Sequence, residues 1–472
     1  MSPTTFKYHN TSSETLSIPT KRLAAVLAAI AVGAAVMAVA VFVLLALPAD
    51  ELRAQGPDEA HVIVQFGDDV IERRIEFTAP ISGLRALELT GLEVVTQDFG
   101  GGFIGICSIE GVGCPASNCF CDPDNFWNYS YWDGNAWQGY LVGAAASLIT
   151  GGAVEGWRWG PWGSAMPPAA PVMAAVNGLE WLRPLQSADD GGYGSGGVTA
   201  ETLLAVAANG YKASEWRRTA LSPSLSTYFL ASGANLANSG AASAGKMALS
   251  LAAGSACWPL NATLPISYYH PGTGAYSSTN PFDSGIGPQV WGMLGTAALN
   301  QTIPPLAAQF LKAAQQPGGG WEWDVGWGAD TNTTALAVQA LLAAGEPATN
   351  AAIVNGLNYL AAAQNEDGGF PYSPTSPWGT ESDANSTAYV VQAILAAGQN
   401  PATGTWVAAN GDPISYLLGM QLADGSFEWQ PGFGSNASAT RQAIPALLGR
   451  PFPLSAAGVS PCLAQYVPVI LK

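Results

Sequence analysis

Hydrophobic and polar positions divide the chain into three parts. An uncharged apolar run covers residues 23–47 and is preceded by Lys21 and Arg22. Short runs in which apolar and polar residues alternate follow it, and longer runs with helical spacing occupy 172–455. This order predicts a multidomain α and α+β protein: an N-terminal transmembrane helix, a small β domain and a helical domain.

The apolar run 23–47 is long enough to span a bilayer, because an α-helix rises ~1.5 Å per residue. The basic flank predicts a cytoplasmic N-terminus, and it places the rest of the chain outside. An uncleaved anchor is favoured by the length of the run, whereas a cleaved signal peptide is favoured by the small-residue site Ala54-Gln55-Gly56. We therefore expect residues 1–56 to hold one of these segments in an extracytoplasmic protein that is membrane-anchored or secreted.

Residues 57–165 have the pattern of a small β domain. A hairpin is predicted over 61–77, with its turn at 67–69, and Ser82 can cap a helix that runs to Leu89. The further strands are predicted at 103–109, 126–132, 137–142 and 154–159. Two hairpins crossed by one helix predict a β-grasp-like domain. The Pro-rich stretch 166–171 is predicted to be a stiff linker.

Six cysteines in an exported chain favour disulfides. Four of them are clustered in the β domain: Cys107, Cys114, Cys119 and Cys121. Their spacing lacks paired C-x2-C motifs and no histidine is close, which argues against zinc. Nested bridges fit the spacing, Cys107 with Cys121 and Cys114 with Cys119.

The other two cysteines, Cys257 and Cys462, are far apart in the sequence. A bridge between them would attach the C-terminal tail, 456–472, to the helical domain. The tail is apolar but too short to cross a membrane, and the sequence suggests no function for it.

The helical part is repetitive. Four glutamines each precede a Gly-rich turn with an aromatic residue and then a capped second helix: Gln186, Gln315, Gln364 and Gln421. Two degenerate units fit between the first two glutamines, with second helices near 241–254 and 289–299. Six helical hairpins are therefore predicted over 172–455. We expect them to close into a ring, because one hairpin cannot bury its apolar face alone.

The turn Gln-x-x-Asp-Gly-Gly-Phe at 364–370, with partial copies in the other units, resembles the repeats of the prenyltransferase and squalene-cyclase superfamily. The resemblance implies an α/α toroid of six inner and six outer helices. The β domain resembles the C-terminal domain of the transcobalamin and intrinsic-factor family in 77–89, 126–132 and 154–159. Cobalamin carriers combine these two folds in the opposite order and hold the corrinoid between them.

The sequence lacks the residue motifs that several types of enzyme in this superfamily need. A cyclase acid of the Asp-x-Asp-Asp type, a diphosphate site of the Asp-Asp-x-x-Asp type and a zinc set of Asp, Cys and His are all missing. The net charge of −17, without clustered Lys or Arg, argues against nucleic acid. The sequence therefore favours a non-catalytic extracytoplasmic protein that binds cobalamin or another corrinoid between its two domains. A surface interaction or adhesion module and a terpene-cyclase-like enzyme are the alternatives.

The candidate ligand contacts are aromatic plates, polar residues at helix starts and one histidine that can be an axial ligand of cobalt. They are Tyr131, Trp132, His270, Trp323, Trp327, Asp330, Asn332, Tyr372, Trp378, Asp383 and Asn385. Each also has a structural explanation. The turn aromatics can join one hairpin to the next, and the Asp residues can be N-caps. We assign no catalytic residue and no metal ligand from the sequence.

Overall fold

A computed structural model describes residues 58–454 except 68, 79, 135, 165, 167–168, 280–284 and 378. The predicted membrane segment 23–47, Trp378, Cys462 and the tail 456–472 lie outside the described residues. Within the described part, no helix has the length and apolar character needed to cross a membrane.

The described chain is a mixed α and β structure. Its first part contains one helix, α1 (Gly83–Leu89), and eight strands. The strands are β1 (Asp58–Phe66), β2 (Asp69–Phe77), β3 (Val94–Asp98), β4 (Ile104–Ile109), β5 (Val112–Gly113), β6 (Phe126–Trp132), β7 (Trp137–Gly139) and β8 (Val154–Gly160). The predicted first hairpin and the helix capped by Ser82 are confirmed, since the Ser82 hydroxyl accepts a bond from the backbone N–H of Arg85.

The strands form two sheets, with the order β2-β1-β8-β6-β7 in the larger and β3-β4-β5 in the smaller. The first and last strands pair in parallel at the centre of the larger sheet, with Ile63 opposite Gly156. Their inward side chains pack on α1, where Leu87 is fully buried. The predicted strand 137–142 is only three residues long, and β3 was not predicted at all.

The predicted disulfide pairing in the β domain is wrong. The bridges join Cys107 to Cys119 and Cys114 to Cys121, so they interlace rather than nest. The reason is the short 3-10 turn Ala116–Asn118. This turn brings Cys119 back against β4, where Cys107 lies. Two residues later, Cys121 is close enough to Cys114 to form the second bridge.

The second part contains eleven α-helices within the described residues. They are α2 (Ala169–Leu182), α3 (Gly196–Ala208), α4 (Leu225–Ala237), α5 (Ala241–Ala253), α6 (Ile286–Ala298), α7 (Pro305–Ala313), α8 (Thr331–Ala343), α9 (Ala351–Ala363), α10 (Ala384–Ala396), α11 (Pro413–Gly419) and α12 (Ala437–Leu447). Helix α2 begins inside the predicted linker, because Pro171 falls in its first turn, where a missing N–H costs no hydrogen bond.

Six of these helices form a closed inner ring. Helices α3, α5, α6, α8, α10 and α12 each contact the next, and α12 returns to contact α3. The outer layer consists of α2, α4, the 3-10 turn Pro265–Tyr268, α7, α9 and α11. The predicted ring of six units is therefore present, with a short 3-10 turn in place of one outer helix.

One hydrogen bond recurs in four of the units. In each, the backbone N–H of the turn aromatic donates to a threonine hydroxyl of the following inner helix, at 2.9 Å. The pairs are Tyr193 with Thr199, Trp321 with Thr334, Phe370 with Thr387 and Phe427 with Thr440. The turn and its inner helix are thereby fixed to each other, which explains the repeated threonine.

The repeat glutamines join neighbouring units. The side-chain amide of Gln315 donates to the carbonyl oxygen of Gly319 in its own turn, at 2.7 Å, and to that of Ala352 in the next outer helix, at 2.8 Å. Gly319 has φ of +90°, and a Cβ there would lie 2.5 Å from the carbonyl oxygen of Asn355. The turn therefore needs glycine both for its conformation and for its contact with the next unit.

The β domain is attached to the ring through the edge strand β2. The side chain of Asn209, which follows α3, accepts from the backbone N–H of Glu72 at 2.8 Å and donates to its carbonyl oxygen at 3.0 Å. The Arg73 guanidinium donates to the carbonyl oxygen of Asn209 at 2.6 Å and lies 4.0 Å from the centroid of the Tyr211 ring. The free edge of the sheet is thus covered by the helical domain.

Candidate functional site

Aromatic loops surround the N-terminal ends of the inner helices. The first N–H group of three inner helices donates to a carbonyl oxygen in the loop of the following unit, at 2.9 Å each time. The pairs are Ile286 with Trp323, Thr331 with Tyr372 and Ala384 with Trp429. These bonds satisfy helix N–H groups that have no partner inside the helix. They also fix the backbone of Trp323 and Tyr372, two of the predicted contact residues, at this end of the ring.

Asp330 is a buried carboxyl group at this end of the ring. It caps α8, with its Oδ1 accepting from the backbone N–H of Thr333 at 2.7 Å and its Oδ2 from the Thr333 hydroxyl at 2.8 Å. Burial raises the pKa of Asp330 to about 6, although bonds from Thr333 and Tyr372 oppose the rise. The group can therefore hold a proton in mildly acidic solution, and the half-exposed Tyr372 lies beside it.

Asp383 has the equivalent position in the next unit, as the cap of α10. Its oxygens accept from the backbone N–H and the hydroxyl of Ser386, both at 2.8 Å. Burial raises its pKa as well, against bonds from Ser386 and Trp429. The capping role predicted for Asp330 and Asp383 is confirmed in both units.

The polar residues predicted beside these caps are half-buried. Asn332 and Asn385 follow the two aspartates, and the Asn385 amide donates to the side-chain oxygen of Gln442 on α12 at 2.6 Å. This bond joins two neighbouring inner helices at the mouth of the ring. Polar side chains are therefore present at this end of the ring beside the exposed aromatic ones.

One turn further along the inner helices lies a network of charged side chains. Lys246 on α5 lies 2.6 Å from a carboxyl oxygen of Glu201 on α3, and the Arg441 Nε on α12 lies 3.2 Å from the other. The Lys246 ammonium is also 4.7 Å from the centroid of the Trp291 ring. Burial by itself would raise the pKa of Glu201, but the two cations outweigh it and lower the pKa. Glu201 is therefore held ionised and cannot supply a proton.

The loops at this end also expose large apolar side chains to solvent. The exposed residues are Val325, Trp327, Tyr372, Trp429 and Phe433. Trp327 is 71% exposed, which is unusual for a residue of its size and indicates an apolar contact surface.

The β domain contains a separate cavity of about 860 Å³. Its walls come from β4, β6, β7, β8 and the loops that follow β7 and β8. Aromatic rings dominate the lining: Phe103, Phe120, Phe126, Trp127, Tyr129, Trp137, Tyr140, Trp157, Trp159 and Trp162. All the lining residues except Met166, at the start of the linker 166–171, belong to the β domain. No described helix of the ring lines this cavity, so it is not the interdomain cleft that the sequence predicted.

The predicted contacts are not all at one place. The seven described candidates of the helical repeats, from Trp323 to Asn385, lie near the N-terminal end of the ring. Tyr131 and Trp132 lie on β6, where they contact Tyr140 and Trp137 of the cavity wall with ring centroids 4.9 and 5.6 Å apart. His270 lies on an exposed loop, where its Nε2 is 3.1 Å from the carbonyl oxygen of Ser277.

Sequence reasoning missed the cavity residues themselves. Trp127 lies opposite Trp159 and Tyr129 lies opposite Trp157 in the β6–β8 pair. The alternating aromatics of the two strands were the available signal, because residues two apart on a strand face the same side. The register that brings the two sets together could not be read from the sequence.

The fold and the repeats define a squalene-cyclase-type α/α toroid, as the sequence resemblance implied. A family model described as the squalene-hopene cyclase C-terminal domain matches residues 278–438, which lie within the ring. No curated protein matches the chain. The resemblance of the β domain to transcobalamin is not supported by these comparisons.

Solved structures with some similarity include terpene cyclases. A variant of the type II terpene cyclase MstE from Scytonema, in complex with its product merosterolic acid A, is 16% identical, with 60% of this chain and 97% of that chain covered and a TM-score of 0.39. A protein from Actinoplanes is 18% identical, with coverages of 59% and 99% and a TM-score of 0.38. The ent-copalyl diphosphate synthase from Streptomyces platensis is 17% identical, with coverages of 61% and 52% and a TM-score of 0.33. Similarity at this level does not identify an activity.

The predicted main function, a non-catalytic protein that binds a corrinoid between the β domain and the toroid, is wrong. The family model that matches residues 278–438 of the helical domain describes a squalene-hopene cyclase domain and not a corrinoid carrier. The enzyme alternative is better supported. The missing Asp-x-Asp-Asp and Asp-Asp-x-x-Asp motifs had placed the enzyme second among the interpretations of the sequence.

Proposed function

We propose that the helical domain is a terpene-cyclase-like enzyme that protonates an alkene of an isoprenoid substrate at the N-terminal end of the inner ring. The matched stretch 278–438 supports this class and contains Asp330 with its surrounding loops. The observation that carries the proposal is the raised pKa of the buried Asp330 carboxyl group, about 6, beside exposed aromatic side chains.

Asp330 is the proposed general acid. Its protonated carboxyl group gives its proton to one carbon of the double bond, and the electron pair of that bond forms the new C–H bond. The cation formed on the other carbon is attacked by a further double bond of the same chain. The final cation loses a proton to water, which gives a cyclic isomer of the substrate, and the Asp330 carboxylate regains a proton from solvent. Tyr372 and Trp327 supply aromatic faces, which attract cations.

We also propose that the domain before the ring is β-grasp-like. The sheet order β2-β1-β8-β6-β7, with parallel first and last strands and a helix after the first hairpin, supports this assignment. The two disulfides of this domain support a location outside the cytoplasm, with residues 23–47 as the proposed membrane segment.

The test uses the full-length protein, incubated with squalene or geranylgeraniol between pH 5 and 7, and mass spectrometry to detect cyclic isomers. In Asp330→Asn the helix keeps a good N-cap but loses the proton donor. Product formation should fall by about 100-fold or more. Asp412→Asn makes the same change at the N-cap of the outer helix α11 and should retain activity.

Equal product formation by Asp330→Asn and the unchanged protein would show that another group is the acid. The absence of any isomer from both substrates, in a protein shown to be folded, would overturn the cyclase proposal itself.

A further inference from the structure

We propose that the aromatic cavity of the β domain is a second binding site, for an uncharged ligand that is mostly hydrocarbon. The site is separate from the proposed acid on the ring. It does not require catalysis, and its chemistry follows from the side chains that line it.

Stacked rings form the cavity wall. The Tyr129 ring lies 4.3 Å from both the Tyr140 ring and the Trp157 ring, and the Trp127 and Trp159 rings are 5.6 Å apart. A volume of about 860 Å³ is within the usual range for small-molecule sites. Rigid rings of this kind offer a large contact area, and little side-chain freedom is lost on binding.

No charged side chain is among the described residues that line the cavity. A charged group brought into such surroundings would lose its hydration without gaining an ion pair. The cavity therefore selects against phosphates, carboxylates and amines, and the ligand is uncharged.

Several polar side chains of the wall, including Asn128, Tyr129 and Tyr140, are already bonded within the protein. The Asn128 amide donates to the carbonyl oxygens of Gly160 and Pro161, and its oxygen accepts from the backbone N–H of Gly163. The Tyr129 and Tyr140 hydroxyls both donate to the buried carboxyl group of one residue, Glu155. A saccharide needs many free donors and acceptors along its length. The wall does not offer them, so a hydrocarbon fits better than a sugar.

Two indole N–H donors of the wall, those of Trp127 and Trp157, have no hydrogen-bond partner among the described residues. The Trp157 side chain is 2% exposed. A buried donor without a partner is costly. A hydroxyl or carbonyl oxygen on the ligand would satisfy one of these two donors, which favours an alcohol or ketone over a pure hydrocarbon.

The mouth of the cavity is also apolar. Phe103 and Phe120 are more than half exposed, Leu141 is fully exposed and Trp162 is 87% exposed. Large apolar side chains grouped at the surface of a soluble domain indicate a contact surface. An apolar molecule can therefore enter along this rim without crossing a charged barrier.

These features point to an isoprenoid alcohol as the ligand class. The choice of an isoprenoid rests on the proposed function, whereas the uncharged, oxygen-poor character rests on the cavity alone. The site would hold a substrate or a product of the toroid.

The test is photoaffinity labelling of the full-length protein in lipid nanodiscs with a diazirine analogue of farnesol. Labelled peptides are mapped by mass spectrometry, and label is expected in the peptides of residues 103–166. Excess farnesol should lower this label about tenfold, whereas farnesyl diphosphate and maltohexaose should lower it less than about twofold.

Gly139→Phe fills the cavity, because a Cβ at Gly139 meets no atom within 4 Å. This change should lower the label about tenfold, with an unaltered melting temperature. Gly272→Phe is the matched control, since its Cβ also points into open space, on a loop of the helical domain. Should Gly139→Phe not fold, Trp162→Ala at the exposed mouth should lower the label about fivefold.

Undiminished label in a folded Gly139→Phe variant, or in Trp162→Ala where the first does not fold, would overturn the proposal. So would equal competition by farnesyl diphosphate or maltohexaose. Asp330→Asn should be labelled like the unchanged protein, so a failure of the cyclase proposal and a failure of this one are distinguishable.

Discussion

The side-chain amide of Gln421 donates a hydrogen bond of 2.7 Å to the carbonyl oxygen of Ala174, which precedes it by 247 positions. Gln315 forms the equivalent bond to Ala352 in the next outer helix, and Gln364 forms one to the carbonyl oxygen of Trp406, in the 3-10 turn Gly404–Trp406 that precedes α11. The last unit therefore contacts the first in the same way as neighbouring units contact each other. The Trp181 indole adds a bond of 3.0 Å to Asp424 across the same junction.

Replacement of Gln421 by Met should weaken this junction. The carbonyl oxygen of Gly425 loses its side-chain donor, and that of Ala174, inside α2, loses the bond that joins the last unit to the first. We expect the free energy of unfolding to fall by about 2 kcal/mol. Faster hydrogen exchange in α2, measured by mass spectrometry, should accompany it. The control Gln364→Met should lower the free energy of unfolding by about the same amount but leave hydrogen exchange in α2 unchanged. Equally fast exchange in α2 for both variants would contradict the prediction.

Replacement of Asn209 by Ala should uncouple the β domain from the ring. Asn209 is fully buried and bonds both backbone groups of Glu72. These groups would be left unpaired, at a cost of about 2 kcal/mol. In calorimetry, the unchanged protein should unfold in one transition, whereas Asn209→Ala should show two, one for the β domain and one for the ring. Asn358→Ala, on the exposed side of α9, is the control and should leave the trace unchanged. A single unaltered transition in Asn209→Ala would argue against this attachment.

Asp330 should make stability depend on pH with a definite sign. Burial raises its pKa from 3.8 to about 6, so the folded state keeps a proton that the unfolded state loses. Stability is therefore highest below pH 4 with respect to this group, and it falls as pH rises through 6. The loss amounts to about 3 kcal/mol at most. Asp330→Asn has no such titration.

The measurement is denaturant unfolding of both proteins at pH 4 and pH 7. Asp330→Asn should gain in stability relative to the unchanged protein as the pH is raised, by up to about 3 kcal/mol. If the two proteins differed in free energy of unfolding by the same amount at pH 4 and pH 7, the pKa of the Asp330 carboxyl group would not be raised by folding.

The disulfides give a prediction that does not depend on function. Peptide mapping without reduction should recover Cys107 joined to Cys119 and Cys114 joined to Cys121. Serine at both Cys107 and Cys119 should cost about 2–4 kcal/mol of stability. Recovery of the nested pairs would instead show that the protein does not form the 3-10 turn at Ala116–Asn118.

Features with local sequence signals were predicted well. The Ser82 cap, the first hairpin and the glutamine turns depend on residues a few positions apart, and each was recognised from its own spacing. The ring followed from repetition, because identical units with one apolar face have few ways to bury it.

Features that depend on pairing between distant strands were not predicted. The disulfides follow the path of a 3-10 turn, and the cavity follows the register of β6 against β8. The raised pKa of Asp330 was also not predicted, because it depends on how deeply the fold buries the group. A lone aspartate at a helix start looks the same in the sequence whether it is buried or exposed.

The contact of α12 with α3 also restricts how this domain can change in evolution. An open array of repeats can gain or lose a copy at either extremity, because only one interface is altered. In a circle of six, an inserted copy would need wider angles at every junction, and a deleted one would leave a gap that no neighbour can fill. Moving the termini to another loop, by contrast, would preserve all six junctions, and the domain should tolerate such a rearrangement of its gene.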